Sequence, residues 1–110
     1  MDSENKDLRI LIVDDVPENL DVLSRALEAS QYHVQVATTG ETALGLADRT
    51  LPNLILLDIM MPGMDGFETC RRLKADPRTR NIPVIFLTAW DDAKGLLEGF
   101  QVGGVDYITK

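Results

Sequence analysis

Three aspartates close the two most apolar stretches of this sequence. Residues 8–13 (LRILIV) run into Asp14 and Asp15, and residues 54–57 (LILL) run into Asp58. Thr88 follows a third apolar run, residues 82–87 (IPVIFL), and Lys110 closes a final strand, residues 105–110 (VDYITK). An unbroken apolar run closed by turn residues reads as a strand buried on both faces. In a parallel sheet all carboxyl ends share one edge, and open α/β sheets place their ligands there. On that edge Asp14, Asp15 and Asp58 gather, with the Thr88 hydroxyl and the mobile positive charge of Lys110. Three carboxylates in one cleft repel each other and need a cation. Oxygen donors in an open site suit Mg²⁺, which keeps several waters. The chemistry is that of a carboxylate nucleophile with a metal and a cation ready to neutralise a phosphoryl group.

The elements that must position these residues alternate. After the first strand, Val16-Pro17-Glu18-Asn19 opens a helix with Pro at a tolerated early position, and Leu20, Leu23 and Leu27 form its buried stripe. It fades at Ser30-Gln31, and residues 32–37 (YHVQVA) alternate as a second strand. Thr38-Thr39-Gly40-Glu41 starts a second helix with Ala43, Leu44 and Ala47 inward, ended by Leu51-Pro52-Asn53. After Asp58, the turn around Pro62-Gly63 leads to Asp65-Gly66 and a third helix with Phe67, Cys70 and Leu73 inward. A polar loop, residues 76–81, precedes the fourth strand, where an early Pro83 is tolerated. Asp91 or Asp92 caps a fourth helix with Ala93, Leu96, Leu97 and Phe100 on one face. Gly95 and Gly99 each cost that helix roughly 1 kcal/mol, making it the loosest of the four. Strands alternating with helices imply a parallel sheet with right-handed crossovers, in strand order 2-1-3-4-5.

The bulk composition bounds the function. The chain has 110 residues, 45% hydrophobic and 26% charged, which suits one compact domain with a real core. Its net charge of −7 argues against a nucleic-acid or anionic-membrane surface. One cysteine, Cys70, excludes an internal disulfide and fits a reducing cytoplasm. Residues 1–7 form a polar, acidic tail rather than a signal peptide, and no apolar run approaches the roughly 20 residues of a membrane span. The domain proper is read as residues 8–110.

The chain resembles the receiver domain of two-component response regulators over nearly its whole length. The matching residues are the Asp14-Asp15 pair, the run Asp58-x-x-Met61-Pro62-Gly63-Met64-Asp65-Gly66, the pair Thr88-Ala89, and Asp106-Tyr107-x-x-Lys110. The resemblance implies a flavodoxin-like (CheY-like) three-layer sandwich. It implies that Asp58 accepts a phosphoryl group from a histidine kinase or phosphotransfer protein. Asp15 would bind Mg²⁺ directly, Asp14 directly or through water, and Met60 through its backbone carbonyl. Thr88 and the Ala89 amide would hold phosphoryl oxygens, Lys110 would pair with the phosphoryl group, and Tyr107 would be the switch aromatic. The output would be read on the face built from the fourth helix and fifth strand. Two positions that affect phosphoryl lifetime in this family hold Met60 and Trp90, both large; the expectation is that they screen the acyl phosphate from water and slow its loss.

Simpler readings stand beside these. Singly, Asp14 or Asp15 is a helix cap, Thr88 an ordinary strand-end residue and Tyr107 a core-edge aromatic. Cys70 reads as a small core residue, Asp65 as the cap of the third helix, and His33 has no ligand-spaced neighbour. The family pattern normally continues with a fifth helix, and here nothing follows Lys110. The expected consequence is an open apolar strip beside Leu20 and Leu27 and a frayed Lys110. A segment cut from a longer protein with a C-terminal output domain, a naturally short receiver, and a homodimer covering the exposed sheet face would each account for it; the first is preferred. Three other functions compete. An interaction module that is never phosphorylated is opposed by the intact acidic set and favoured by the absent fifth helix. A Mg²⁺-dependent phosphatase with an aspartyl-phosphate intermediate would carry a second Asp at the position of Met60. A flavodoxin-like nucleotide binder would want a Gly-rich turn where this chain has Asp14-Asp15-Val16-Pro17.

Overall fold

The computed structural model describes residues 8–88 and 106–109, with side chains over residues 8–87. In chain order the elements are β1 (Arg9–Val13), α1 (Pro17–Ala29), β2 (His33–Ala37), α2 (Gly40–Thr50), β3 (Leu54–Asp58), α3 (Gly66–Ala75), β4 (Val84–Thr88) and β5 (Asp106–Thr109). The fourth helix expected after Asp91 or Asp92, the acidic tail, and the residues Ala89, Trp90 and Lys110 lie outside the described residues, as do the side chains of Thr88 and Tyr107.

The strands form one parallel sheet in the order β2-β1-β3-β4-β5. This is the flavodoxin-like topology anticipated from the alternation of strands and helices. Alternate residues of each central strand serve opposite faces, because successive side chains in a strand point to opposite sides. Leu11, Val13, Ile55, Leu57, Val84 and Phe86 join one buried cluster with Ala43 and Ala47 of α2 and Phe67, Cys70 and Leu73 of α3. Phe67 and Phe86 meet edge-to-face there, ring centroids 5.4 Å apart. Ile10, Ile12, Leu56 and Leu87 face the other way and pack with Leu20 of α1, edged by half-buried Leu23 and Leu27. Among the described residues the first cluster holds fifteen buried side chains and the second five. Leu20 is buried and Leu27 half-buried, as their helical spacing predicts.

Helix ends follow local chemistry. Thr39 caps α2, its hydroxyl oxygen accepting the Thr42 N–H at 3.1 Å, and Asp65 caps α3 by accepting the Glu68 N–H at 2.9 Å. Helix α1 stops at a Schellman turn: Gln31 N–H donates to Glu28 O and Tyr32 N–H to Leu27 O, with Gln31 at φ 71°. Leu51 ends α2 in the same left-handed region, at φ 47°.

Three features differ from the sequence reading. Strand β4 starts at Val84, not at residue 82, because Ile82 N–H turns back to Thr79 O and Pro83 has no N–H. Edge strand β2 does not alternate cleanly. Gln35 is half-buried beneath a hydrogen bond from the Thr50 hydroxyl, and Val36 is exposed. The polar loop at residues 76–81 is a tied turn. Buried Thr79 donates its hydroxyl to Leu73 O at 2.7 Å, Lys74 Nζ spans to Arg80 O and Ile82 O, and Arg78 pairs with Asp48 at 2.9 Å.

Candidate functional site

Parallel register carries the three aspartates to one place. Val13, the last residue of β1, pairs with Ala37 on one side and with Leu57 on the other, so Asp14 and Asp58 are the next residues outward on adjacent strands. Asp14 N–H donates to Ala37 O at 3.1 Å, which keeps its backbone on the sheet edge while the chain turns into α1. One carboxylate oxygen each from Asp14, Asp15 and Asp58 lie within 4.8 Å of one another. Asp14 is fully buried, Asp58 is 1% exposed, and Asp15 is half-buried at the rim.

Each buried carboxylate has backbone support. Asp14 Oδ1 accepts the Val16 N–H at 2.9 Å, and Asp14 Oδ2 accepts Asn19 Nδ2 at 3.1 Å. Asp58 Oδ1 accepts the Met60 N–H at 3.3 Å. The cap reading of Asp14 is therefore partly right: it holds the first N–H of the turn into α1, whose own N-cap, Val16, has no side-chain acceptor. The same side chain also belongs to the acidic cluster.

Two further features fix the Asp58 end of the site. Gly66 begins α3 directly against the end of β3 and donates its N–H to Ile59 O at 2.9 Å. A Cβ at Gly66 would overlap the Asp58 carbonyl oxygen and stand 2.8 Å from Ile59 Cα. Only glycine lets the helix approach the strand end this closely. Gly63 turns the loop at φ 74°, again a glycine conformation. Met60, two residues beyond Asp58, is 53% exposed.

The remaining predicted residues divide by element. Thr88 is the last residue of β4, one step beyond Leu87, which pairs with Asp58; Thr88 itself pairs with Thr109 of β5. Its backbone therefore stands on the same carboxyl edge. Tyr107 pairs with Phe86 one layer deeper in the sheet. Ala89, Trp90 and Lys110 lie outside the described residues. Sequence reasoning missed Asn19 and the role of Gly66. Asn19 sits four residues after Asp15 in the first helical turn, a spacing that returns a side chain toward the strand end. Gly66 carried its signal in standing at a helix start, where a Cβ would ordinarily be harmless.

Cys70 is buried among apolar side chains as expected. Burial pushes its thiol up to about 11, with the charges of Lys74 and Arg71 pulling the other way. On the outer face of α3, Arg72 and Arg71 hold the Glu68 carboxyl below its ordinary value through ion pairs at 2.9 and 2.8 Å.

A parallel five-stranded sheet with an acidic trio at its carboxyl edge defines a narrow class of protein. The chain matches the response regulator receiver domain family over residues 10–110. It is 51% identical over 102 residues to the response regulator PleD of Caulobacter vibrioides, covering 93% of this chain and 22% of PleD. In structure it superposes on the N-terminal domain of a response regulator receiver protein from Methanoculleus marisnigri with a TM-score of 0.86 and 44% identity, covering 93% of this chain and 83% of that one. It also superposes, with a TM-score of 0.86 and 32% identity, on the receiver domain of a sensor histidine kinase from Pseudomonas aeruginosa that holds a magnesium ion in its active site cleft, covering 94% of this chain and 84% of that one. The chain belongs to the response regulator receiver domain family, the phosphoacceptor class of two-component signal transduction. It spans about a fifth of the length of PleD. Among the described residues no helix is long and apolar enough to cross a membrane.

Proposed function

We propose that Asp58 is the phosphoacceptor of this receiver and that Asp14, Asp15, Asp58 and the Met60 carbonyl hold a Mg²⁺ ion. The observation that carries the reading is the meeting of three carboxylate oxygens within 4.8 Å, two of the residues buried, at the carboxyl edge of the sheet. Such a trio fits a hard divalent cation: all donors are oxygen, and half-buried Asp15 leaves room for water. The Mg²⁺ held there would supply positive charge to offset that of the phosphoryl oxygens. The protein does the rest. Asp58 is the nucleophile, oriented by the Met60 N–H that donates to its Oδ1. Its oxygen forms the new bond to phosphorus as the bond to the donor's imidazole nitrogen breaks, and the imidazole leaves. The Thr88 hydroxyl and the Ala89 amide would take phosphoryl oxygens, Lys110 would pair with the phosphoryl charge, and Tyr107 would follow Thr88 inward as the switch. Met60 and Trp90 would screen the acyl phosphate from water.

The donor in this reading is a histidine kinase or phosphotransfer protein of the cytoplasm, and the output belongs to a longer parent protein. The chain's own catalytic contribution is limited to its phosphorylation and dephosphorylation. The test follows Trp90 fluorescence while Mg²⁺ is titrated, then adds acetyl phosphate or a beryllofluoride mimic. A saturable Mg²⁺ response and a further change that is lost in Asp58→Asn is the expected result. No Mg²⁺ response would favour an interaction module that is never phosphorylated.

A further inference from the structure

Asp14 is the one member of the acidic trio whose two oxygens each take a donor from the first turn of α1. Val16 N–H reaches Oδ1 at 2.9 Å and Asn19 Nδ2 reaches Oδ2 at 3.1 Å. The second donor, on the opposite oxygen, fixes the plane of the carboxylate. We infer that Asn19 is a positioning residue for the cation site: its amide locks the Asp14 carboxylate in the orientation from which it faces Asp15 and Asp58.

Three observations support this. Asn19 is half-buried although it stands on a helical turn whose neighbours Val16, Pro17 and Glu18 are exposed, so its side chain is folded toward the sheet edge and away from water. Its partner is fully buried, where a hydrogen bond to a charged group is strong and its loss is not made good by solvent. A carboxylate offers about four acceptor sites, more than the two donors from α1 occupy. Hydrogen bonds that orient a metal-binding carboxylate typically alter metal affinity by about 10- to 100-fold when removed. The arrangement also couples α1 to the site. A displacement of the first helical turn moves both donors of Asp14 at once, because Val16 and Asn19 belong to the same turn and Asn19 N–H closes onto Val16 O at 3.1 Å.

The inference rests on the receiver reading and is separable from it. The experiment is a calorimetric titration of the whole 110-residue chain with Mg²⁺ alone, for the wild type, Asn19→Leu and Asn19→Ala, beside urea unfolding of each in EDTA. The expected result is a roughly tenfold or greater loss of Mg²⁺ affinity in the folded form of both variants, beyond whatever fall the lost hydrogen bond causes in the metal-free unfolding midpoint. A purely structural role would lower the metal-free midpoint and leave the affinity of the folded variant unchanged, and that result overturns the inference. Asn19→Ala, being suited to a helix, stands in if the leucine variant does not fold. If the wild type itself binds no Mg²⁺, the receiver reading fails and the inference falls with it; if only the variants match the wild type, the inference alone fails.

Discussion

Replacing Gly66 by alanine should damage the phosphoacceptor end of the site without touching a charged residue. The new methyl would overlap the Asp58 carbonyl oxygen and stand 2.8 Å from Ile59 Cα and 2.9 Å from Asp58 C. Carbon atoms prefer separations of about 3.5–4.0 Å, so helix α3 and the end of β3 must part by roughly 1 Å. Every clashing atom is backbone, so no rotamer change relieves the strain. Overpacking of this kind costs about 1–3 kcal/mol. At about 4 °C per kcal/mol for a domain of this size, an intermediate loss of about 2 kcal/mol lowers the melting temperature by about 8 °C. The Gly66 N–H to Ile59 O bond at 2.9 Å stretches with the same movement. A misplacement of 1 Å at a reacting group can lower a rate by about 100-fold. Phosphorylation by acetyl phosphate should therefore slow well beyond what the fraction unfolded explains. Gly45→Ala is the control. Gly45 lies in the exposed interior of α2 with no atom within 4 Å of a new Cβ, and alanine there should add about 0.5–1 kcal/mol. Gly66→Ala melting and phosphorylating like the wild type would refute the packing argument. A lowered melting temperature with an unchanged rate would refute the claim that this contact places Asp58.

Four further outcomes follow from the same structure. Gln31 holds the left-handed position of a Schellman turn at φ 71°, so Gln31→Gly should raise stability by about 0.5–1 kcal/mol in urea unfolding, the relief of backbone strain exceeding the added entropy of the unfolded chain. The Cys70 thiol, pushed up to about 11 by burial, should not react with thiol reagents in the native protein at pH 8 and should react on unfolding. Because the unfolded thiol ionises near its ordinary value of 9.0 while the native one stays protonated to about 11, the native state keeps this contribution below pH 9 and loses it as pH rises toward 11; alkaline unfolding midpoints for Cys70→Ala should show the slope removed. Thr79→Val deletes the hydroxyl that donates to Leu73 O at 2.7 Å and should cost about 1–2 kcal/mol in the same unfolding assay. Trp90→Ala and Met60→Ala should each hasten loss of the phosphoryl group; decay rates equal to the wild type would sink the screening role.

Much of this was legible because it depended on short-range pattern. The apolar runs ending at Asp14 and Asp58 gave buried central strands, and parallel register then made a cluster unavoidable. The inward faces of the helices followed from 3.6-residue spacing, as Leu20, Ala43, Ala47, Phe67, Cys70 and Leu73 bear out. The caps at Thr39 and Asp65 followed from residue chemistry. What escaped was tertiary. Edge strand β2 has an alternating sequence but only one neighbour, so Val36 is exposed while Thr50 draws Gln35 inward. The loop before β4 looked simply polar, yet the buried Thr79 hydroxyl and the Lys74 amine tie it down. Gly66 could not be distinguished from an ordinary helix-start glycine until the backbone of Asp58 stood beside it. Asn19 looked like one more polar residue of a helix start until Asp14 lay within reach.

Asp58 is the proposed covalent acceptor. The direct measurement is intact-protein and peptide mass spectrometry after incubation with acetyl phosphate, with and without Mg²⁺, for the wild type and Asp58→Asn. One phosphoryl group on the wild type, mapped to Asp58, dependent on Mg²⁺ and absent from Asp58→Asn, is the predicted result. A phosphoryl group that persists in Asp58→Asn, or that forms equally well in EDTA, would contradict it.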